Sequence, residues 1–375
     1  MQFTNNEIAT YLFCAQLAQT KTTPLTIIEW NTVVKSLSEQ KMQPEVLFKI
    51  TPSELLKALT KATEAQKIKI VKKIAARQKL GISMLELKEI VHQGYGIMFR
   101  AQMPISLKKL TQNFIPAFFY YVGDTTILSH PILGVVGARD ANADELSQTA
   151  EIAKKAVSNG VVIISGGAKG VDTTAVEASL ENGGKAIVFP AEGLAKWVKK
   201  STIRNYISNG QLLLMSAQRL DAPFSGSYAM QRNKFIHAPS NAVLVTSSKI
   251  SGKKLSGTWE GVLENIKHQW SPLFVLGNSE GVEKLKVDGN AKQFSSFEEI
   301  FKQSDSTKMK TQSEIDEKIV SLVQLAIAKG MEKEVIEKKF LEISAKYYKN
   351  YEGSRLDNQR TLQDSLAQEQ LEMKL

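Results

Sequence analysis

Cysteine is nearly absent from this 375-residue chain: Cys14 stands alone, so no disulfide can form within one molecule. Histidine is scarce as well, four in all, and none lies at a ligand spacing from Cys14, which excludes a zinc finger. No uncharged apolar run reaches the length of a membrane span, and the opening Met1-Gln2-Phe3-Thr4-Asn5-Asn6 has no signal-peptide pattern. Aspartate is missing from residues 1–110. The expectation is a soluble, cytoplasmic protein with no membrane contact, no metal and no cofactor. What is present is ordinary globular composition, 43% apolar and 23% charged, which sets aside disorder, collagen and coiled coil. The length asks for two or three domains.

The charge is unevenly spread. Lys and Arg number 48 against 38 Asp and Glu, a net +10, and residues 1–110 hold 16 Lys and Arg against 8 Glu. Such an excess suits a polyanion partner. The same region reads as helices. Thr51-Pro52-Ser53-Glu54 is a helix start with proline in the first turn. Between Thr63 and Leu80, Ile68, Ile70, Val71, Ile74 and Ala75 interleave with Lys67, Lys69, Lys72, Lys73, Arg77 and Lys79. That pattern predicts a helix with one buried stripe and one cationic face. The face is solvated surface by default, with a nucleic-acid contact as the alternative. Gly81 and Ser83 interrupt, and Leu85 to His92 resumes the helix.

From Ile132 the pattern changes. Ile132–Val136 is a short apolar run followed by a helix over 141–158, then Val161–Ile164, a glycine loop and a helix over 171–181. Ala186–Phe189, a helix near 194–208, Leu212–Met215, Ala242–Val245 and Leu273–Leu276 continue the series. Continuous apolar strands alternating with helices mean a parallel sheet covered on both faces. The fold class is therefore α/β, a doubly wound Rossmann-like sheet over roughly residues 125–300. Polar 303–312 reads as a linker, and Ser313-Glu314-Ile315-Asp316 opens a helical C-terminal extension over 313–375.

Ligands in such a sheet bind outside the carboxyl ends of the strands. Four loops fall there. Gly137-Ala138-Arg139-Asp140 follows the first strand, and Ser165-Gly166-Gly167-Ala168-Lys169-Gly170-Val171-Asp172 follows the second. Glycines, a hydroxyl and a lysine before a helix form a phosphate cradle, or else a tight turn with no ligand. Gln231-Arg232-Asn233-Lys234 suits phosphate oxygens or base edges, or equally a solvated helix face. The fourth loop runs from Ser251 through Lys253 and Lys254 to Gly257, Thr258, Trp259 and Glu260. No P-loop and no dinucleotide fingerprint occurs. No catalytic triad, metal cluster or close carboxylate pair is evident, so a catalytic role is not expected. Trp30, Trp197, Trp259 and Trp270 are expected in the core, and the four histidines are read as structural or surface.

Several runs together resemble the DNA-processing protein A (DprA/Smf) family. They are Leu107–Leu110, Phe118-Phe119-Tyr120-Tyr121-Val122-Gly123-Asp124, Gly134–Arg139, Ser165–Asp172, Arg232-Asn233-Lys234-Phe235-Ile236 and Gly257-Thr258-Trp259-Glu260-Gly261. The likeness covers roughly residues 85–290 in the correct order. It implies binding of single-stranded DNA without sequence preference, handover to a RecA-type recombinase, a role in transformation or with foreign DNA as in anti-phage defence, and a homodimer. It also implies that the first helices are the family's small helical domain, giving domains at 1–105 and 106–302. Carried over, Arg139 is the strand-one arginine, Lys169 with Gly166, Gly167 and Gly170 is the backbone-binding loop, and Arg232 and Lys234 flank Asn233 as the later basic pair. Ser165, Asp172, Lys253, Gly257 and Thr258 complete the expected phosphate-binding set. Ala138 and Lys234 depart from the family's usual serine and arginine, and residues 313–375 show no hairpin of a winged helix. Two alternatives stay open on the same loops: a sensor of a nucleotide-derived signal, and a phosphoribohydrolase of the Lonely Guy type, whose catalytic glutamate would fall at Gly261.

Overall fold

Four threonines start the first four helices. Thr4, Thr26, Thr51 and Thr63 each accept the N3 backbone N–H while the Glu or Gln three residues on reaches back to the threonine N–H. The helices are α1 (Asn5–Cys14), α2 (Ile27–Glu39), α3 (Pro52–Ala58) and α4 (Glu64–Gln78), followed by α5 (Ser83–His92). The computed structural model describes residues 3–17, 20–80, 83–250 and 256–300. Lys253, the 303–312 linker and the 313–375 extension lie outside the described residues. Met1–Phe297 belongs to one folded unit, so the early helices and the sheet are parts of the same body. Among the described residues no helix is long and apolar enough to cross a membrane.

The cations of α4 are largely spoken for. Lys73 and Lys69 both reach Glu29 on α2, at 2.6 and 3.3 Å, and Lys67 pairs with Glu64 at 2.8 Å. Burial opposes ionisation of Glu29, yet these lysines and the Thr26 N–H hold its carboxyl below the ordinary range. Arg77 turns inward and is fully buried. Its guanidinium donates to the carbonyls of Leu12, Ala15 and Thr22, joining α4 to the end of α1 and the segment after it. Part of the face predicted to be cationic is thus used for packing, through Arg77 and Lys73, while Lys69, Lys72 and Lys79 stay exposed.

One mixed sheet of nine strands follows, in the spatial order β1-β2-β6-β5-β4-β3-β7-β8-β9. The strands are β1 (Gly96–Phe99), β2 (Phe118–Val122), β3 (Ile132–Val136), β4 (Val162–Ser165), β5 (Ala186–Val188), β6 (Leu212–Ser216), β7 (Ala242–Val245), β8 (Leu273–Val275) and β9 (Lys292–Gln293). Those from β3 onward run parallel, and β3 to β8 are buried along their whole length, as a sheet covered on both faces requires, while the short edge strand β9 is exposed. Crossover helices α6 (Ala143–Ser158), α7 (Val171–Glu181), α10 (Gly226–His237), α11 (Gly257–His268) and α12 (Glu280–Val287) match the predicted doubly wound class. The helix expected near 194–208 is two pieces, α8 (Ala195–Val198) and α9 (Ser201–Ser208).

The sequence reading of residues 1–105 as helical is incomplete. Gly96–Phe99 is a buried strand pairing antiparallel with Phe118–Val122, which in turn pairs antiparallel with β6. Gly96 is required there, since a Cβ would collide with the Tyr121 ring. Phe119 of β2 meets Phe235 and Phe189 at centroid distances of 4.9 and 5.6 Å, mostly edge to face, which ties this ribbon to α10 and the end of β5.

Candidate nucleic-acid interface

The strand order reverses at β3, between β4 and β7. Chains leaving β3 and β7 diverge there and open a crevice. A cavity of about 790 Å³ occupies it, lined by Gly137–Asp140, Asp172, the inner face of α10 and the start of α11.

The glycine loop is held from below. Ser165 is buried and donates through Oγ to the Val135 carbonyl at 2.7 Å. Asp172, in the first turn of α7, accepts from the Ala168 N–H at 3.3 Å. Arg232 is buried on α10 and donates through Nη1 to the carbonyls of Gly166 and Phe189, with Nη2 3.8 Å from Asp172. Gly166 has no alternative, because a Cβ would collide with the Arg232 guanidinium. Gly170 has φ +85°, which a side chain rarely adopts, and presses on the Ala138 carbonyl. Gly167 lies under the Trp197 ring. Burial pushes the Asp172 carboxyl upward while Arg232 draws it back.

The rim is fixed from the other side. Thr258 donates to the Gly137 carbonyl at 2.8 Å, and Asn233 donates to the Gly257 carbonyl at 2.8 Å, so α10 and α11 close on the β3 loop. Asn233 also lies against Gly261, where a Cβ would be 2.8 Å from its amide nitrogen. No glutamate can stand at that position without displacing Asn233. What faces solvent is different in kind. Arg139 and Lys169 are exposed, and the Arg139 guanidinium lies 5.9 Å from the exposed Phe224 ring. Lys249 pairs with Asp140.

The structure therefore divides the expected set. Arg139, Asp172, Arg232, Asn233, Gly257 and Thr258 line one cavity. Ser165, Gly166, Gly167 and Gly170 shape the loop beside it, and Lys169 stands exposed on that loop. Arg232, expected to touch phosphate, instead directs both Nη atoms into the protein. Lys234 is elsewhere: its Nζ lies 4.8 Å from the Phe114 ring centroid, where burial lowers its pKa. Two residues along a helix turn about 200°, so Arg232 and Lys234 cannot share a face. Sequence reasoning missed Phe224, Lys249, the α10 N-terminus and His237, all of which line the cavity. The available signal was Pro223-Phe224-Ser225-Gly226-Ser227, an aromatic among small residues before a helix. Trp30, Trp259 and Trp270 are buried as expected, whereas Trp197 is half-buried.

These features define a doubly wound Rossmann-like protein with glycine-lined, cation-tipped loops at its switch point. The family model described as DNA recombination-mediator protein A matches residues 96–305, and the chain belongs to that family. DNA processing protein DprA of Streptococcus pneumoniae is 31% identical over 178 residues, 46% of this chain and 62% of that protein, so the match spans less than two thirds of this relative. The Bacillus subtilis DprA is 27% identical over 210 residues, 54% of this chain and 68% of that protein. The X-ray structure of the Streptococcus pneumoniae protein shares the fold, with TM-score 0.59 and 21% identity, covering 80% of this chain and 98% of that one.

Proposed function

We propose that this protein binds single-stranded DNA without sequence preference, with phosphates following the carboxyl-end rim and a base stacking at Phe224. The observation that carries this reading is the pairing of exposed Arg139 with an exposed aromatic ring at the switch-point cavity, with exposed Lys169 on the glycine loop that follows β4. Cation and ring side by side suit a chain of alternating phosphates and flat bases. The α10 N-terminus adds backbone N–H groups, since Ser225 makes no side-chain cap bond there. Membership of a DNA-processing family supports the same reading. Protection or handover of incoming or foreign DNA, a RecA-type or defence-system partner and a homodimer enter this proposal on the family likeness alone.

Fluorescence anisotropy of labelled oligo-dT across a salt series tests it. Affinity should fall as salt rises, and Arg139→Ala or Lys169→Ala should each lower the slope of log affinity against log salt by about 0.7. Poly-dA and mixed sequences should lose affinity in parallel. No binding at low salt, or binding indifferent to salt, removes the proposal.

A further inference from the structure

Two ion pairs line the switch-point cavity, and they differ in kind. The side chains of Asp172 and Arg232 are each 10% exposed, and the arginine also donates to two carbonyls, so that pair belongs to the loop it props. The side chains of Lys249 and Asp140 are 61% and 65% exposed. Backbone bonds hold the chain on both sides of this second pair. Near Asp140, the Ala138 carbonyl accepts the Val171 N–H at 3.3 Å, and Asn142 caps α6. Near Lys249, Ser256 donates to the Lys249 carbonyl at 3.0 Å, and the Ser248 N–H donates to Ser279 at 3.0 Å. The pair thus spans from the loop after β3 to the loop after β7, the two strands where the sheet order turns back. An ion pair this exposed is worth at most about fivefold in an equilibrium constant. That is little reinforcement for loops already held by their backbones, and little enough for an arriving anion to overcome.

We propose that the Asp140–Lys249 pair is a self-inhibitory latch across the crevice, closed in the free protein and opened when a phosphate of the bound strand replaces the Asp140 carboxylate at Lys249. The inference rests on the DNA-binding reading and adds a regulation to it. Asp140 is an internal competitor: it neutralises Lys249, and it sets a like charge beside Arg139, where a phosphate would otherwise meet cations alone. The hydrogen bond from Lys249 holds the Asp140 carboxyl below the usual carboxylate range, so the competitor is ionised at neutral pH. A lone anion makes too few contacts to offset that exchange. A strand held at Arg139 and Lys169 presents its next phosphate to Lys249 at high effective concentration, and the exchange then goes forward. The latch therefore selects chains of phosphates over single ones.

A double-mutant cycle on the full chain, read by oligo-dT anisotropy at fixed salt, tests it. Asp140→Asn should tighten binding about fivefold. Asp288→Asn controls for the change in net charge: it breaks another exposed ion pair, with Lys284 on α12, away from the cavity, and should leave affinity within about twofold of the parent. Lys249→Gln should weaken binding about twofold in the parent, where the lysine must first leave Asp140, and about tenfold beside Asp140→Asn, where it is already free. Both side chains are mostly exposed, so the urea midpoints should not move. Asp140→Asn binding no tighter than Asp288→Asn overturns the latch, because the pair is then a brace or a bystander. Equal losses from Lys249→Gln in the two backgrounds overturn it as well, because the carboxylate then repels DNA without holding the lysine. If neither parent nor variants bind oligo-dT at low salt, the DNA-binding reading falls and takes the latch with it.

Discussion

Helix α4 and the carboxyl-end rim are both rich in basic residues, yet they use them in opposite ways. On α4, Arg77 is buried against three carbonyls, and Lys67, Lys69 and Lys73 are paired with glutamates. At the rim, one arginine goes inward in the same manner, Arg232, and props the glycine loop that carries exposed Lys169, while Arg139 stands exposed on the loop after β3. The first region converts charge into helix packing, and the second buries one charge to display others. Counting cations along a sequence cannot distinguish the two, because the distinction lies in which acceptors the fold brings near.

That contrast can be broken most severely at Arg232. Arg232→Ala leaves Asp172 buried without its partner and should destabilise by about 3–5 kcal/mol, read as a lower midpoint in urea, with DNA binding lost along with the fold. Arg77→Ala should follow, at on the order of 3 kcal/mol, and Arg77→Lys should rescue little, because one ammonium cannot serve carbonyls reached by two guanidinium nitrogens. If either variant kept full stability but lost DNA affinity, the assignment of these arginines to packing would be wrong.

Exposed cations should behave in the reverse sense. Arg139→Ala is expected to weaken oligo-dT binding about tenfold, some 1.4 kcal/mol, while leaving the urea midpoint within about 0.5 kcal/mol of the parent. Acid should expose the Glu29 contact. Its folded pKa lies below the ordinary 4.5, so its contribution is complete above that value and fades as pH falls through the folded pKa. Glu29→Gln should therefore flatten the stability profile below pH 4.5 compared with the parent. Lys72→Ala, on an exposed face of α4, should change neither stability nor DNA affinity by a measurable amount.

Much of the architecture was legible because it is written locally. Thr51-Pro52-Ser53-Glu54 marks one early helix start, and the β3 to β8 strands announce themselves as unbroken apolar runs. The β1–β2 ribbon was not legible, since a four-residue strand pairs with a partner some twenty residues away and its glycine is explained only by the Tyr121 ring opposite. The convergence of the loops after β3 and β4 with α10 and α11 followed from the strand pattern. The separate fates of Arg232 and Lys234 follow in part from helix geometry, which sets them on different faces. That Arg232 faces inward depended on Gly166, a residue 66 positions earlier whose missing side chain makes room for the guanidinium.

The β1–β2 ribbon has a practical consequence. Phe118-Phe119-Tyr120-Tyr121-Val122 contains no charge, and β1 covers its outward edge. A fragment started anywhere between residues 100 and 117 would strip that cover and present five aromatic or aliphatic residues as an open hydrogen-bonding edge. Such a truncation should precipitate or stack edge to edge, whereas one that keeps Gly96–Phe99 should not.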